Sequence, residues 1–297
     1  MKNNNENRML LKIPVEKIIN SYRKIFNIDV SYLFNDIDHI TLNKCKKTKY
    51  FFFEPKSIAG DSNFYKKLED FIWYYQKDKW EFDVARNLID KGSVLEIGCG
   101  YGNFLESLKV KEDLDISGCE FNPDAIHVCM SKGLNVNDSE LSMIRKESFD
   151  FIVTFQVLEH IPNTEDFFFN CNRILKKNGQ LIIGVPNSKS LIFKPFSDSY
   201  FDDGSLLLNL PPHHMGWWDE RSLKKMGKLY GFKTVLLKKE PFNESRRSLL
   251  DTNLRYYFRF KLVYRLFKLI FRKYYKYIFN GESLLIVFVK EIDMHND

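Results

Sequence analysis

From Lys91 onward the chain alternates short apolar runs with helical stretches, and this alternation limits the fold more than any other feature of its 297 residues. The runs are Ser93–Ile97, Asp115–Cys119, Leu134–Val136, Asp150–Phe155, Gln180–Val185 and Phe232–Leu237, with Ser283–Val289 as a last strand. Strands separated by helices cannot close tight hairpins, so they pair in parallel and are covered by helices on both faces. The expected fold class is therefore α/β. Asn122-Pro123 is expected to open one helix with a side-chain cap and an N1 proline, and Asn178-Gly179 to close another before Gln180. Upstream, Phe64, Leu68, Phe71, Ile72 and Tyr75, then Phe82, Ala85, Leu88 and Ile89, recur at helical spacing, which predicts two helices with a break near Gln76–Asp78. Residues 1–62 are polar and then aromatic and read as an N-terminal cap; 63–240 read as the core, 241–280 as an insertion and 281–297 as the last strand and tail. No internal repeat is found.

The first strand carries the strongest chemical signal. Val94-Leu95-Glu96-Ile97 stops at Gly98, and glycines recur at Gly100 and Gly102 before helical character resumes at Asn103. In an open parallel sheet, ligands bind at the carboxyl ends of the strands, and a bare turn there lets a ligand touch main chain. Glu120 ends the second strand at the interval where a carboxylate accepts hydrogen bonds from ribose hydroxyls. Both a dinucleotide and S-adenosylmethionine exploit such a turn. Spacing separates them: the dinucleotide pattern is G-x-G-x-x-G, whereas here Gly102 comes one residue early and Asn103 holds the expected place. Glu96, inside the strand, is placed to meet a cationic amine.

On these residues the sequence resembles the class I S-adenosylmethionine-dependent methyltransferases. Val94–Gly102 is similar to their first motif, Phe149–Pro162 to the fourth strand and its turn, and Leu175–Ile183 to the approach of the fifth. The resemblance covers roughly residues 75–240 and the last strand, and it implies a Rossmann-like, seven-stranded, mostly parallel sheet whose antiparallel last strand lies beside Phe232–Leu237, with a helical cap at the N-terminus. Gly60–Leu68, Val185-Pro186-Asn187 and Pro211-Pro212-His213-His214 resemble a bacterial branch associated with surface glycans and sugars. Members of that branch carry a paired-cysteine knuckle near the start; here Cys45 is followed at the matching spacing by Thr48, so four zinc ligands are not available locally.

The resemblance also distributes roles. Glu96, Gly98, Gly100, Gly102, Glu120 and Phe121 are expected to hold the cofactor, with Phe155 and Gln156 just past the fourth strand. Asp138 is expected either near the adenine amino group or simply in a turn. Quinone O-methyltransferases of the family bind magnesium through Glu-x-x-Glu-His; Gln156 stands where the first carboxylate would be, a neutral amide weakens a hard-cation site, and no metal is expected at Glu159-His160. A hydroxyl acceptor must lose a proton, which calls for a base. His213 and His214 fall where the family builds its acceptor pocket, His214 being preferred, and Trp217-Trp218 offer flat faces for a ring.

Composition bears on location. Five unpaired-looking cysteines and the lack of a secretory leader favour a reducing cytoplasm, and no apolar run approaches the roughly 20 residues that span a bilayer. The net charge of +6 is mild, but its basic residues crowd near the C-terminus. Between Leu254 and Phe279, eight lysines and arginines from Arg255 to Lys276 occur without an acidic residue, opposite Val263, Phe267, Ile270, Phe271, Tyr274 and Ile278. Such a helix (residues 254–279) either lies on an anionic membrane surface or covers the enzyme's own core. Nucleic acid is disfavoured as a partner, since no RNA-binding module accompanies the patch. The expectation is a methyltransferase acting on oxygen in a sugar or glycan intermediate. The alternatives are a quinone, lipid or small-metabolite acceptor, or a cofactor-binding scaffold without catalysis.

Overall fold

The computed structural model describes residues 7–71, 77–190, 196–242, 260–271, 274 and 281–294. The N-terminal segment is built mainly of strands and not as a helical cap. It runs β1 (Asn7–Pro14), α1 (Val15–Phe26), β2 (His39–Cys45) and β3 (Phe51–Glu54), with β1–β2–β3 antiparallel. α1 presents Ile18 and Tyr22 to this sheet and stops at Asn27, whose left-handed backbone (φ 56°) donates its N–H back to Arg23. The core beneath combines Ile13, Ile40, Phe53 and Phe64 with Tyr200, Leu207 and Met215 from far along the chain.

Two helices follow, α2 (Ser62–Leu68) and α3 (Trp80–Leu88); α2 ends earlier than the spacing predicts, Ile72, Tyr75 and Gln76 lie outside the described residues, and residues 77–79 before α3 are not helical. Then comes the alternation: β4 (Gly92–Ile97), α4 (Asn103–Leu108), β5 (Leu114–Cys119), α5 (Pro123–Ser131), β6 (Asn135–Asn137), β7 (Phe149–Phe155), α6 (Thr164–Ile174) and β8 (Leu175–Pro186). A loop containing α7 (Gly204–Leu207) and the two-residue β9 (Gly216–Trp217) leads to α8 (Glu220–Leu229), β10 (Phe232–Lys239), α9 (Lys261–Phe271) and β11 (Ser283–Lys290). β9 pairs with β3 and so completes the small sheet.

The large sheet has seven strands in the order β10-β11-β8-β7-β4-β5-β6. β4, β5, β6, β7 and β8 are parallel, while β11 runs antiparallel to both β8 and β10, as the resemblance implies. Central strands are apolar on both faces because both are covered: α6 and α8 pack on one side through Phe168, Leu223 and Met226, and α3 and α4 on the other through Phe82, Ala85 and Phe104. Asn122 caps α5 as expected, accepting from the Asp124 N–H. Asn178-Gly179 does not end a helix. α6 stops at Ile174, Leu175 is already extended and pairs with Phe149, and Asn178 adopts φ 62° within β8, where the register shifts between the Phe149–Leu175 and Phe151–Gln180 pairs.

Of the basic segment, the described part is α9 with Phe260 and Tyr274; the remainder of 254–279 lies outside the described residues. The apolar face is divided: Tyr264 is buried and Phe267 half-buried, whereas Val263 and Ile270 join Leu262, Leu266 and Leu269 on an exposed arc. Among the described residues no helix is long and apolar enough to cross a membrane.

Candidate active site

The parallel strands deliver their carboxyl ends to one place. Where β4 ends, Gly98, Gly100 and Gly102 all take positive φ (69°, 52° and 71°), a backbone that a Cβ would strain. The turn is tied down by the Gly98 N–H on Cys119 O at 2.8 Å and the Gly102 N–H on Cys99 O at 2.9 Å. The Glu120 carboxylate braces it further: Oε2 accepts from the Gly100 N–H at 2.8 Å, and Oε1 from the Phe121 and Asn122 N–H groups at 2.8 and 3.0 Å. Each carboxylate oxygen accepts through two lone pairs; Oε1 has used both and Oε2 one, so Oε2 keeps capacity for one ribose hydroxyl.

A cavity of about 1400 Å³ opens beside this turn. Glu96, Gly98, Gly100, Glu120, Phe121, Phe155 and Gln156 line it, as do His213 and His214. Glu96 is 3% exposed and its Oε2 has no hydrogen-bond partner, so its carboxyl is held well above the ordinary carboxylate range by burial, with Lys79 pulling the other way. A buried acceptor without a donor beside a cavity fits a cationic amine, and the bare turn fits close backbone contact. These residues therefore fit the amino-acid end and ribose of S-adenosylmethionine.

Two of the expected cofactor residues lie elsewhere. Gly102 does not line the cavity: a Cβ there would lie 2.5 Å from Leu134 Cδ1 and 2.9 Å from Cys129 Sγ, so its bareness serves packing of the turn against β6 and α5. Asp138 also stays outside, in the turn where Asn137 Oδ1 accepts from the Ser139 N–H. Gln156 lines the cavity with φ 60°, its Nε2 donating to Glu81 Oε1 at 3.0 Å. Glu81, from α3, is almost wholly buried and pushed up by desolvation; nothing in its helical surroundings marked it beforehand.

The opposite part of the cavity is histidine-rich. His160 follows β7 in a turn, as expected, but the loop after β8 folds back onto it. Met215 and Gly216 donate their N–H groups to Glu159 O at 2.7 and 3.1 Å, while Met215 O accepts from the Phe53 N–H at 2.9 Å, so the small sheet holds this loop in place. The ring centroid of His160 comes to 4.5 Å from that of His213 and 5.0 Å from that of His214. All three rings are neutral at neutral pH, because burial pushes His160 down to about 4 and His213 and His214 well below the usual range. His214 Nδ1 has no partner. Glu159 is buried too, with Oε2 unpartnered and its carboxyl pushed up to about 8 by desolvation. Neither tryptophan serves as a platform: Trp218 stacks on Tyr50 at 3.9 Å inside the core, Trp217 packs against Phe53, and neither lines the cavity. α8 is capped by Asp219 and Ser222.

Comparison with known proteins agrees with this fold. The chain is 25% identical over 182 residues to an uncharacterized protein of Methanocaldococcus jannaschii, covering 58% of this chain and 81% of that one. It is 28% identical over 166 residues to the ubiquinone biosynthesis O-methyltransferase of Glaesserella parasuis, covering 52% of this chain and 66% of that protein. In structure it is similar to a SAM-dependent methyltransferase from Archaeoglobus fulgidus, with a TM-score of 0.54 at 22% identity, covering 76% of this chain and 100% of that one. The family model for the methyltransferase domain matches residues 72–237, more than half of the sequence, and the chain belongs to that family.

Proposed function

We propose that this chain is an S-adenosylmethionine-dependent methyltransferase that methylates a hydroxyl of a small polar acceptor, of the class of a sugar or glycan intermediate. The observation that carries the reading is the joining, in one cavity, of the Glu96–Glu120 end with His214, a buried, neutral imidazole whose Nδ1 has no hydrogen-bond partner. When bound, S-adenosylmethionine supplies a methyl group on a sulfonium, so transfer requires alignment and exclusion of water more than covalent help. Glu96 receives the amine, Glu120 Oε2 a ribose hydroxyl, and the backbone at Gly98 and Gly100 lies against the ligand. His214 takes the acceptor's proton. Asn163, Asn170, Ser190, Ser205 and Asn209 also line the cavity and supply neutral donors and acceptors of the kind that polyhydroxylated molecules pair with.

The test is transfer of labelled methyl to a panel of sugars and glycan intermediates alongside an aromatic diol. With the methylated acceptor, His214→Ala lowers turnover by about a hundredfold or more and leaves cofactor affinity near wild type, with His213→Ala as comparison. Full activity in both variants removes histidine from the reaction, and transfer to the diol alone overturns the sugar class.

A second reading concerns location. On α9, Leu262, Val263, Leu266, Leu269 and Ile270 form an exposed arc, Leu269 at 81%, and exposed Arg265 borders it. Helical spacing puts Lys268 beside Arg265. An apolar arc bordered by cations fits the surface of an anionic bilayer, so α9 is read as a peripheral membrane contact.

A further inference from the structure

His160 lies 53 residues before His213, yet the fold brings one potential ligand atom from each of His160, His213 and His214 to within 4.8 Å of the others. Two of the rings are already oriented. His160 Nδ1 is 2.6 Å from His213 O, and His213 Nδ1 is 2.9 Å from Leu208 O. A carbonyl oxygen only accepts, so both Nδ1 atoms carry their hydrogens and both Nε2 atoms keep a free lone pair. Backbone carbonyls commonly fix the tautomer of metal-binding histidines in this way. The third ring, His214, has an Nδ1 that is buried without a partner. Beside them, Glu159 Oε1 lies 3.8 Å from His160 Nε2, and its Oε2 is likewise buried and unpartnered. Water-poor surroundings make such orphaned acceptors costly unless something electropositive meets them.

We infer that His160, His213 and His214 form a binding site for a divalent transition-metal ion, with the Glu159 carboxylate alongside and one position open to the cavity. The donor set decides the class of ion. Imidazole nitrogens suit Zn²⁺, Fe²⁺ or Ni²⁺, whereas Mg²⁺ and Ca²⁺ demand oxygen ligands. At a Zn–N distance of about 2.0–2.1 Å, tetrahedral ligand atoms sit roughly 3.4 Å apart, so the cluster closes a short distance around the ion. His214, whose Nδ1 is tied to no carbonyl, is the ring whose shift breaks no hydrogen bond at that atom.

This inference rests on the reading that a hydroxyl acceptor lies at the histidines, and it moves His214 from proton acceptor to ligand. The acceptor hydroxyl takes the open position and is acidified by the ion. Its O–H bond breaks and the proton leaves to solvent. The oxygen then bonds to the methyl carbon, and the carbon–sulfur electron pair stays on sulfur.

The experiment is titration of Zn²⁺, and of Co²⁺ followed by its visible absorption, into the full chain after chelator treatment and dialysis. One equivalent is expected to bind per chain. His160→Ala, His213→Ala and His214→Ala each weaken binding by more than the roughly 10–100-fold that loss of an outer-shell partner costs, while exposed His127→Ala does not. No stoichiometric binding to folded wild type overturns the site whether or not the variants fold; so does binding that survives loss of the cluster. Methyl transfer, measured in parallel, separates this from the function reading. A metal-stripped enzyme of undiminished activity overturns the metal's part in the reaction and leaves His214 as base. Metal binding with histidine variants that retain full activity overturns the placement of the acceptor instead.

Discussion

Glu96 offers the most direct measurement of how the cavity recognises its cofactor. Its buried carboxyl lacks a donor at Oε2 and holds a proton well past the pH at which an exposed glutamate loses one. A cationic amine arriving beside it favours the carboxylate, so the proton leaves as the ligand binds. The sign follows: the ligand prefers the ionised form, and affinity rises with pH from the ordinary glutamate range, near 4.3, up to the raised value, by at most tenfold per unit for one proton. The ligand's own amine, near 7.7–8.0 by analogy with an α-amino group, confines a clean reading to below about pH 7.5. Calorimetry of S-adenosylmethionine in two buffers of different ionisation heat counts the protons released. Glu96→Gln preserves shape, abolishes proton release and loses a charge-assisted hydrogen bond of about 1.5–3 kcal/mol, or about 10- to 150-fold in Kd. A wild-type affinity flat with pH and without proton exchange refutes the reasoning, as does a glutamine variant that binds equally well.

The glycines separate into two kinds. Gly102→Ala combines a φ of +71° with a Cβ 2.5 Å from Leu134, and is expected to cost about 2–4 kcal/mol and lower the melting temperature by roughly 5–15 °C, while the folded fraction keeps near-normal cofactor affinity in calorimetry. Gly98→Ala, with its Cβ 2.5 Å from Val157 Cγ2 at the cavity wall, is expected to lose stability and affinity together. For α9, wild type is expected to co-sediment with anionic vesicles at low salt and to be released as salt screens surface charge over about 8–10 Å. Lys261, Arg265 and Lys268 changed to glutamine abolish sedimentation without lowering the melting temperature, and a wild type that ignores such vesicles ends the membrane reading.

What could be read in advance depended on whether its cause was local. The central strands of the large sheet, β4, β7, β8 and β11, are apolar runs whose two faces are largely buried, so the signal sits within a few residues. Glu120 was legible for the same reason, standing at the end of its strand. The small sheet was not: β1 exposes its first four residues and β3 is Phe-Phe-Phe-Glu, so neither shows the alternation by which a half-buried strand is recognised. Trp217 and Trp218 carry the surface a ring acceptor would want, but the same surface packs well on Tyr50 and Phe53, and sequence cannot tell the two uses apart. The histidines show the limit most clearly. Pro-Pro-His-His and Glu-His could each be noticed, and the missing first carboxylate at Gln156 argued against a magnesium site. Glu-His and Gln156 supply ligands along one turn only. The partners of His160 arrive from the loop after β8, pinned by two backbone hydrogen bonds to Glu159 O, and main-chain contacts across more than 50 residues leave no trace in side-chain spacing. A donor set assembled by folding is therefore nitrogen-rich where the local motif read as oxygen-poor, and the ion it selects changes with it.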